Sequence, residues 1–246
     1  MTSRNLCSTW LPDHLPGTGH DLGFDGTYLR DVLEHWAIDF DWRAAEERLN
    51  SFANRTATID GTALHFVHER SPQPDAVPLL MPHGRPSSYV QMLDIIPMLT
   101  HPERDGTPFD VVAVSLPRYG FSEIPRQAGV TFPAIATLTH RLMTEALGYE
   151  RYGIRASDLG FGVANANAVA HPDVVAGLHT SGTNPTLPTP LPEDLTGEER
   201  RFVTDAQQWN ANEMAYLQVH ANKPQTLGAA LNDSPAGLAA WIGEKF

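Results

Sequence analysis

Cysteine is nearly absent from this 246-residue sequence. Cys7 stands alone, so no internal disulfide can form and nothing calls for an oxidising compartment. No CxxC and no paired Cys/His spacing occurs either, so a structural zinc site is not expected. Long apolar runs are missing too. No window approaches the roughly 20 residues of a membrane span, and the first dozen residues lack the apolar stretch of a signal peptide. A soluble cytoplasmic protein is the resulting expectation. Positive charge is scarce, with 17 Lys+Arg against 29 Asp+Glu and a formal net charge of −12. Such a surface repels phosphate backbones and anionic lipid, which argues against nucleic acid or a membrane surface as partner.

What is present is ordinary globular material. At 41% hydrophobic and 19% charged, the chain can bury a substantial core in one or two domains. The first 26 residues, rich in Gly, Pro, Asp and His, read as irregular. Helical spacing follows at Tyr28, Leu29, Val32, Leu33 and Trp36, and again at Trp42, Ala45, Leu49 and Phe52. After residue 55 the pattern becomes β. Thr56–Asp60 and Ala63–Glu69 form a hairpin around Asp60-Gly61, a pair suited to the positive φ of a tight turn. Leu64, Phe66 and His68 alternate with His65, Val67 and Glu69, so one face of that strand is only loosely apolar. Short buried strands are expected at Pro78–Pro82, Phe109–Leu116, Arg151–Arg155 and Val174–Thr180. Between them, helices are expected over Ser88–Leu99 (ended or bent by Pro97), Pro133–Leu147 and Gly160–Ala170. Apolar strands alternating with helices specify a mostly parallel sheet with right-handed crossovers. A Pro-rich link, SGTNPTLPTPLPEDL, begins at Ser181, and Thr196-Gly-Glu-Glu199 fits a capping box opening a further helical element.

Catalytic groups in such sheets sit at the carboxyl ends of strands. One strand end runs through Ala156-Ser157-Asp158-Leu159-Gly160 directly into a helix. That is a nucleophile-elbow frame with Asp158 in the nucleophile position. The helix N-terminus favours an anion there and keeps the carboxylate ionised. The plain alternative is an aspartate capping its own helix. Ser157 is a weaker candidate because its neighbours do not make the GxSxG frame. Pro82-His83-Gly84-Arg85-Pro86 follows another strand, and such a loop can turn backbone N–H groups toward the elbow as an oxyanion hole, together with the N–H of Leu159. An ordinary Gly-Pro turn would explain the same residues. The loop Ser115–Ser122 either shapes the pocket or is structural.

The segments FDWRAAEERLN, IDGTALHFVHERS, HGRPSS, FDVVAVSLPRYGFS, LGYERYG, SDLG and NKPQTLGAALNDSPAGLAAWIGEKF, in this order, resemble the epoxide-hydrolase family, in its microsomal-type branch with an N-terminal helical meander. The resemblance covers nearly the whole chain. It implies an α/β-hydrolase fold, divided as 1–54 helical meander, 55–182 core and 183–246 start of a helical cap. It also implies hydrolysis of a small-molecule epoxide to a vicinal diol without cofactor or metal, in a catabolic or detoxifying setting. By position, Asp158 is the nucleophile, Arg85 and Leu159 supply oxyanion N–H groups, His83, Gly84 and Pro86 build the oxyanion loop, and Tyr216 matches the first cap tyrosine. A phenol suits that role because it can protonate an alkoxide near neutral pH. Packing of an amphipathic cap is the other use for Tyr216.

The family's catalytic His, its carboxylate partner and the second cap tyrosine are expected on the C-terminal side of the cap, beyond Phe246. So are the last two strands of the sheet. Arg85, Arg118, Ser157 and Leu159 stand where an aromatic, a glycine, a glycine and a tryptophan are frequent in the family. The expectation is a chain equipped for ester formation but deficient in turnover, or one that self-associates or joins a complementing C-terminal chain as half of a split enzyme. Haloalkane dehalogenation would use the same aspartate, but Leu159 lacks the indole N–H that holds halide. A serine esterase is disfavoured by the missing GxSxG.

Overall fold

The computed structural model describes residues 11–103, 106–126, 129–181 and 189–246. Cys7 and residues 182–188 of the Pro-rich link lie outside the described residues. The chain divides into two compact units. One is built around the sheet, over residues 43–184. The other joins residues up to 42 with those from 185 onward.

The sheet unit opens with α2 (Trp42–Asn50) and the antiparallel hairpin β1 (Asn54–Ile59) and β2 (Thr62–Glu69). Asp60 and Gly61 both adopt positive φ, 50° and 75°, closing the expected two-residue turn between the paired residues Ile59 and Thr62. β2 pairs antiparallel with β4 (Phe109–Val114). From there the sheet is parallel: β4 with β3 (Val77–Pro82), β3 with β5 (Tyr152–Ser157), and β5 with β6 (Val175–Ser181). The strand order is β1-β2-β4-β3-β5-β6, so the carboxyl ends of β3, β4 and β5 are neighbours at one edge.

β2 corrects the reading of its faces. Leu64, His65, Phe66 and Val67 are all buried, because the strand is interior and covered on both sides. Leu64 and Phe66 join the cluster of Leu80, Val112, Ile154 and Val163, while Val67 joins that of Met81, Tyr89, Leu93 and Val111. The helix expected over Ser88–Leu99 is also corrected. A short 3₁₀ turn, Tyr89–Met92, is capped by the Ser88 hydroxyl, and α3 (Ile96–Thr100) follows separately. Pro97 begins that helix rather than ending it, since its missing N–H falls in the first turn where no intrahelical acceptor exists. α4 (Phe132–Arg141) continues as a π turn over Leu142–Ala146. α5 (Leu159–Ala170) buries Gly160, Val163, Ala164 and Asn167, one helical face, against the sheet.

The helical unit holds α1 (Gly26–Ile38), α6 (Gly197–Glu213), α7 (Ala215–Asn222), α8 (Pro224–Asp233) and α9 (Pro235–Gly243). Leu29 and Leu33 of α1 pack on Ala236 of α9, with Phe24, Trp36, Ala239 and Ala240 around them. The capping box at α6 is formed as expected: the Glu199 carboxylate accepts the Thr196 N–H at 2.7 Å, and the Thr196 hydroxyl accepts the Glu199 N–H at 3.3 Å. Among the described residues, no helix is long and apolar enough to cross a membrane.

Candidate active site

Asp158 sits between β5 and α5 at φ 51°, ψ −127°. A positive φ is costly for a non-glycine residue, and such strain is sustained only where surrounding packing enforces it. Two close approaches do so here. A Cβ at Gly160 would run into the Pro82 carbonyl, so the helix can cross β3 this closely only with glycine at 160. A Cβ at Gly84 would lie 2.8 Å from the Asp158 Cβ and 3.0 Å from its Oδ1. The small residues of the elbow and of the loop after β3 are thus required by backbone proximity.

The side chain of Asp158 makes no capping bond to α5. Instead its Oδ1 accepts the Arg85 backbone N–H at 2.7 Å, from the loop after β3. The carboxylate is held from across the sheet edge and left exposed to solvent, rather than folded back onto its own helix. Ser157 lies one residue before the strained position, with Arg155 Nη1 3.5 Å from its hydroxyl, so the sharp turn presents Asp158. Leu159 opens α5, in the turn whose N–H groups have no intrahelical acceptor.

His83 is fully buried beneath this loop. Its Nε2 accepts the Leu116 N–H at 3.1 Å and its Nδ1 donates to the Gly84 carbonyl at 2.8 Å. A backbone N–H on one nitrogen and a carbonyl on the other dictate the neutral tautomer with the proton on Nδ1. Burial, the dominant influence, holds its pKa below the ordinary histidine value, against the opposing pull of the Gly84 carbonyl and Asp158. The Tyr119 ring packs edge-on to His83, centroids 4.9 Å apart. Burial raises the Tyr119 phenol pKa, with the Asp158 charge adding to the rise and Arg85 opposing it. The loop Ser115–Ser122 therefore does contribute a wall beside the elbow.

The structure brings Asp158, Leu159, His83, Gly84, Arg85 and Pro86 together at the carboxyl ends of β3 and β5. Tyr216 belongs to the helical unit, on α7, where it is half-buried. The Lys245 ammonium lies 4.8 Å from its ring centroid, and the His220 ring packs edge-on at 6.5 Å. His220 in turn accepts the Trp241 indole N–H at 2.9 Å. His171 stacks on His140 at 3.5 Å, and His179 is exposed on β6. The sequence reading missed buried His65, whose ring nitrogens lie 2.9 Å from Ser115 Oγ and 2.9 Å from Asn54 Oδ1. A polar residue inside an apolar β2 was the available signal, but its partners are 50 and 11 residues away.

Comparison with known proteins agrees with this geometry. The family described as "Epoxide hydrolase N terminus" matches residues 2–92, and "alpha/beta hydrolase fold" matches residues 77–240. A putative epoxide hydrolase of Stigmatella aurantiaca is 38% identical over 99% of this chain and 56% of its own length. Epoxide hydrolase 1 of Oryctolagus cuniculus is 36% identical over 96% of this chain and 57% of its own. Among solved structures, Aspergillus niger epoxide hydrolase superposes with TM-score 0.87 at 28% identity, over 99% of this chain and 65% of that one. The chain spans about half the length of the curated relatives it matches.

Proposed function

Because this chain belongs to the epoxide-hydrolase family of the α/β-hydrolase fold, we propose that Asp158 opens small-molecule epoxides to form a covalent ester. The carboxylate Oδ2 attacks a ring carbon. The carbon–oxygen bond breaks with its electron pair leaving on oxygen, and that alkoxide takes a proton, the donor role that the family resemblance gives to Tyr216. The product is a 2-hydroxyalkyl ester of Asp158. The observation that carries this reading is the elbow itself: a strained aspartate whose Oδ1 takes a backbone N–H from the neighbouring loop instead of capping its helix.

Hydrolysis to the diol needs water to attack the ester carbonyl. Negative charge would then develop on Oδ1, where the Arg85 N–H already points and the Leu159 N–H can join it. A general base must deprotonate that water. Of the histidines among the described residues, His83 is the one beside Asp158, and both its nitrogens are engaged with the backbone. The described residues thus supply groups for ester formation, the reading takes ester hydrolysis by them alone to be slow, and neither step as written calls for a cofactor or metal. A soluble cytoplasmic setting in the catabolism or detoxification of epoxides is part of the same proposal and rests on the family.

The test is intact-mass spectrometry of the chain after incubation with an aryl epoxide such as styrene oxide, with diol assayed in parallel. A stable one-to-one adduct without comparable diol supports the reading. Sustained diol formation would refute the slow second step, and a folded chain giving neither product would refute the first.

A second reading, that a complementing chain supplies the base, is favoured by β6. Ala176 to His179 are exposed in succession, and this edge strand pairs only with β5 among the described strands. Co-expression with a C-terminal segment of a relative, followed by size exclusion, tests it. Restored diol turnover in a co-eluting complex supports it, and independent elution counts against it.

A further inference from the structure

We propose that His65 and His83 are positioning residues that aim the Arg85 N–H at Asp158 through a continuous run of hydrogen bonds along the carboxyl edge of the sheet. This rests on Asp158 being the nucleophile, and it assigns roles to residues that ester chemistry itself does not touch.

The run starts at Asn54. Its Nδ2 donates to the Leu49 and Phe52 carbonyls, at 2.8 and 3.0 Å, which fixes the amide and turns Oδ1 toward His65. His65 Nε2 therefore carries the proton and donates to that oxygen at 2.9 Å. Its Nδ1 is left to accept the Ser115 hydroxyl, also at 2.9 Å. The backbone repeats the connection. Ser115 N–H donates to the His65 carbonyl at 2.9 Å, and His65 N–H donates to Ser122 Oγ at 2.9 Å. The Ser122 hydroxyl then closes back on the Ser115 carbonyl at 2.7 Å. Both ends of the loop after β4 are thereby anchored to β2.

The next residue carries the run forward. Leu116 N–H donates to His83 Nε2, and His83 Nδ1–H donates to the Gly84 carbonyl. That carbonyl and the Arg85 N–H belong to one planar peptide group, so holding the oxygen on one side points the hydrogen to the other. The other side is Asp158 Oδ1, 2.7 Å away. A donor on the carbonyl also polarises the peptide and strengthens its N–H as a donor.

Packing leaves little room for alternatives. His65 and His83 are 4% and 0% exposed. The Tyr89 and Phe121 rings flank His65 at 4.8 and 5.2 Å, and Tyr119 flanks His83. A Cβ at Gly120 would come within 2.6 Å of Ser115 Oγ. A proton added to His83 would set N–H against the Leu116 N–H, and burial disfavours the cation at both histidines. Facing His83 are Asp158 from the elbow and Tyr119 from the loop after β4. Facing His65 are uncharged Asn54, Ser115, Tyr89 and Phe121.

Imidazole ¹⁵N spectra of the wild-type chain near neutral pH test the path directly. His83 is expected neutral with the proton on Nδ1, and His65 neutral with the proton on Nε2. Two variants then divide the contacts of His83. His83→Asn places an amide nitrogen where Nδ1 was and keeps the bond to Gly84. His83→Gln reaches the Nε2 position and keeps Leu116 but loses Gly84. His83→Gln is expected to slow the maximal rate of adduct formation by about ten-fold without changing the half-saturating epoxide concentration. His83→Asn is expected to stay within about three-fold. The Arg85 amide proton should move upfield in His83→Gln and stay near its wild-type position in His83→Asn. That readout needs no epoxide, so it judges the path even if wild type forms no adduct. Ser115→Ala, which leaves His83 in place, should move the same resonance in the same direction by less. Opposite tautomers in wild type, or an Arg85 amide unmoved in both His83→Gln and Ser115→Ala, would overturn the proposal.

Discussion

The two units hold their chemical groups in different ways. At the carboxyl edge of the sheet, Asp158 and its donor are set by backbone: a strained φ, two glycines in close approach, and an N–H whose direction follows from a peptide plane. In the helical unit, Tyr216 packs under a lysine and beside a histidine, on a helix without buried residues. The difference shows in the cores as well. The sheet is covered on both faces by extensive buried clusters, whereas the described helical unit buries little beyond Leu29, Leu33 and Ala236. The proposed ester chemistry asks for fixed geometry at Asp158 and the Arg85 N–H, while the proton-donor role proposed for Tyr216 tolerates a surface that can adjust. Small changes at the sheet edge should therefore be severe, and comparable changes in the helical unit mild.

The sharpest way to break that contrast is to remove the carboxylate proposed as nucleophile. Asp158→Asn should lower adduct formation by at least about 10³-fold, measured by single-turnover mass spectrometry, with little change in denaturation midpoint. Tyr216→Phe should come next, slowing the same step by roughly 10²-fold while leaving the fold intact. A Tyr216→Phe chain that alkylates at the wild-type rate would reduce that residue to packing.

Glycine substitutions test the backbone side of the comparison. Gly160→Ala forces a methyl into the Pro82 carbonyl and should cost about 2 kcal/mol in urea unfolding, with loss of adduct formation. In α8, a Cβ at Gly228 would meet nothing within 4 Å. Gly228→Ala should stabilise the protein by about 0.5–1 kcal/mol, the ordinary helix preference, with alkylation unchanged. Equal effects at the two positions would contradict the contrast.

The smallest expected effect is on pH dependence. Burial holds His65 and His83 below the ordinary histidine pKa, and His68 and His140 shift in the same direction for the same main reason. As pH falls below about 6.5, the unfolded chain takes up protons before the folded one. Their contribution to stability is therefore fully present above that pH and is lost as pH falls toward the lowered folded values. The urea midpoint should drop between pH 7.5 and 5.5, and His65→Gln should flatten part of that drop.

Much of the site was legible because its signals are local. The small–x–Asp–x–small run at 156–160 encodes the elbow, His83-Gly84-Arg85-Pro86 encodes the facing loop, and Asp60-Gly61 encodes the hairpin turn. Each is a few consecutive residues whose backbone demands few alternatives. The parallel sheet followed from apolar strands alternating with helices. The rest depended on distant partners. One face of β2 reads as only loosely apolar because His65 interrupts it, and only pairing on both sides with β1 and β4 shows why a histidine can be buried there. Pro97 reads as a helix stop or bend, although proline serves equally well as a helix start, and the 3₁₀ turn before it decides the matter. Whether Asp158 caps its own helix is not legible in the sequence, because the loop that holds its carboxylate comes from after β3, 73 residues away.

The account stands most directly on where an epoxide attaches. Wild type and Asp158→Asn should be treated with styrene oxide, digested and mapped by fragment mass spectrometry over a time course, with diol followed in the same samples. The prediction is a base-labile ester on Asp158 in wild type that forms faster than diol appears, and no ester at this position in the variant. Alkylation spread over surface carboxylates at equal rates in both proteins would contradict it.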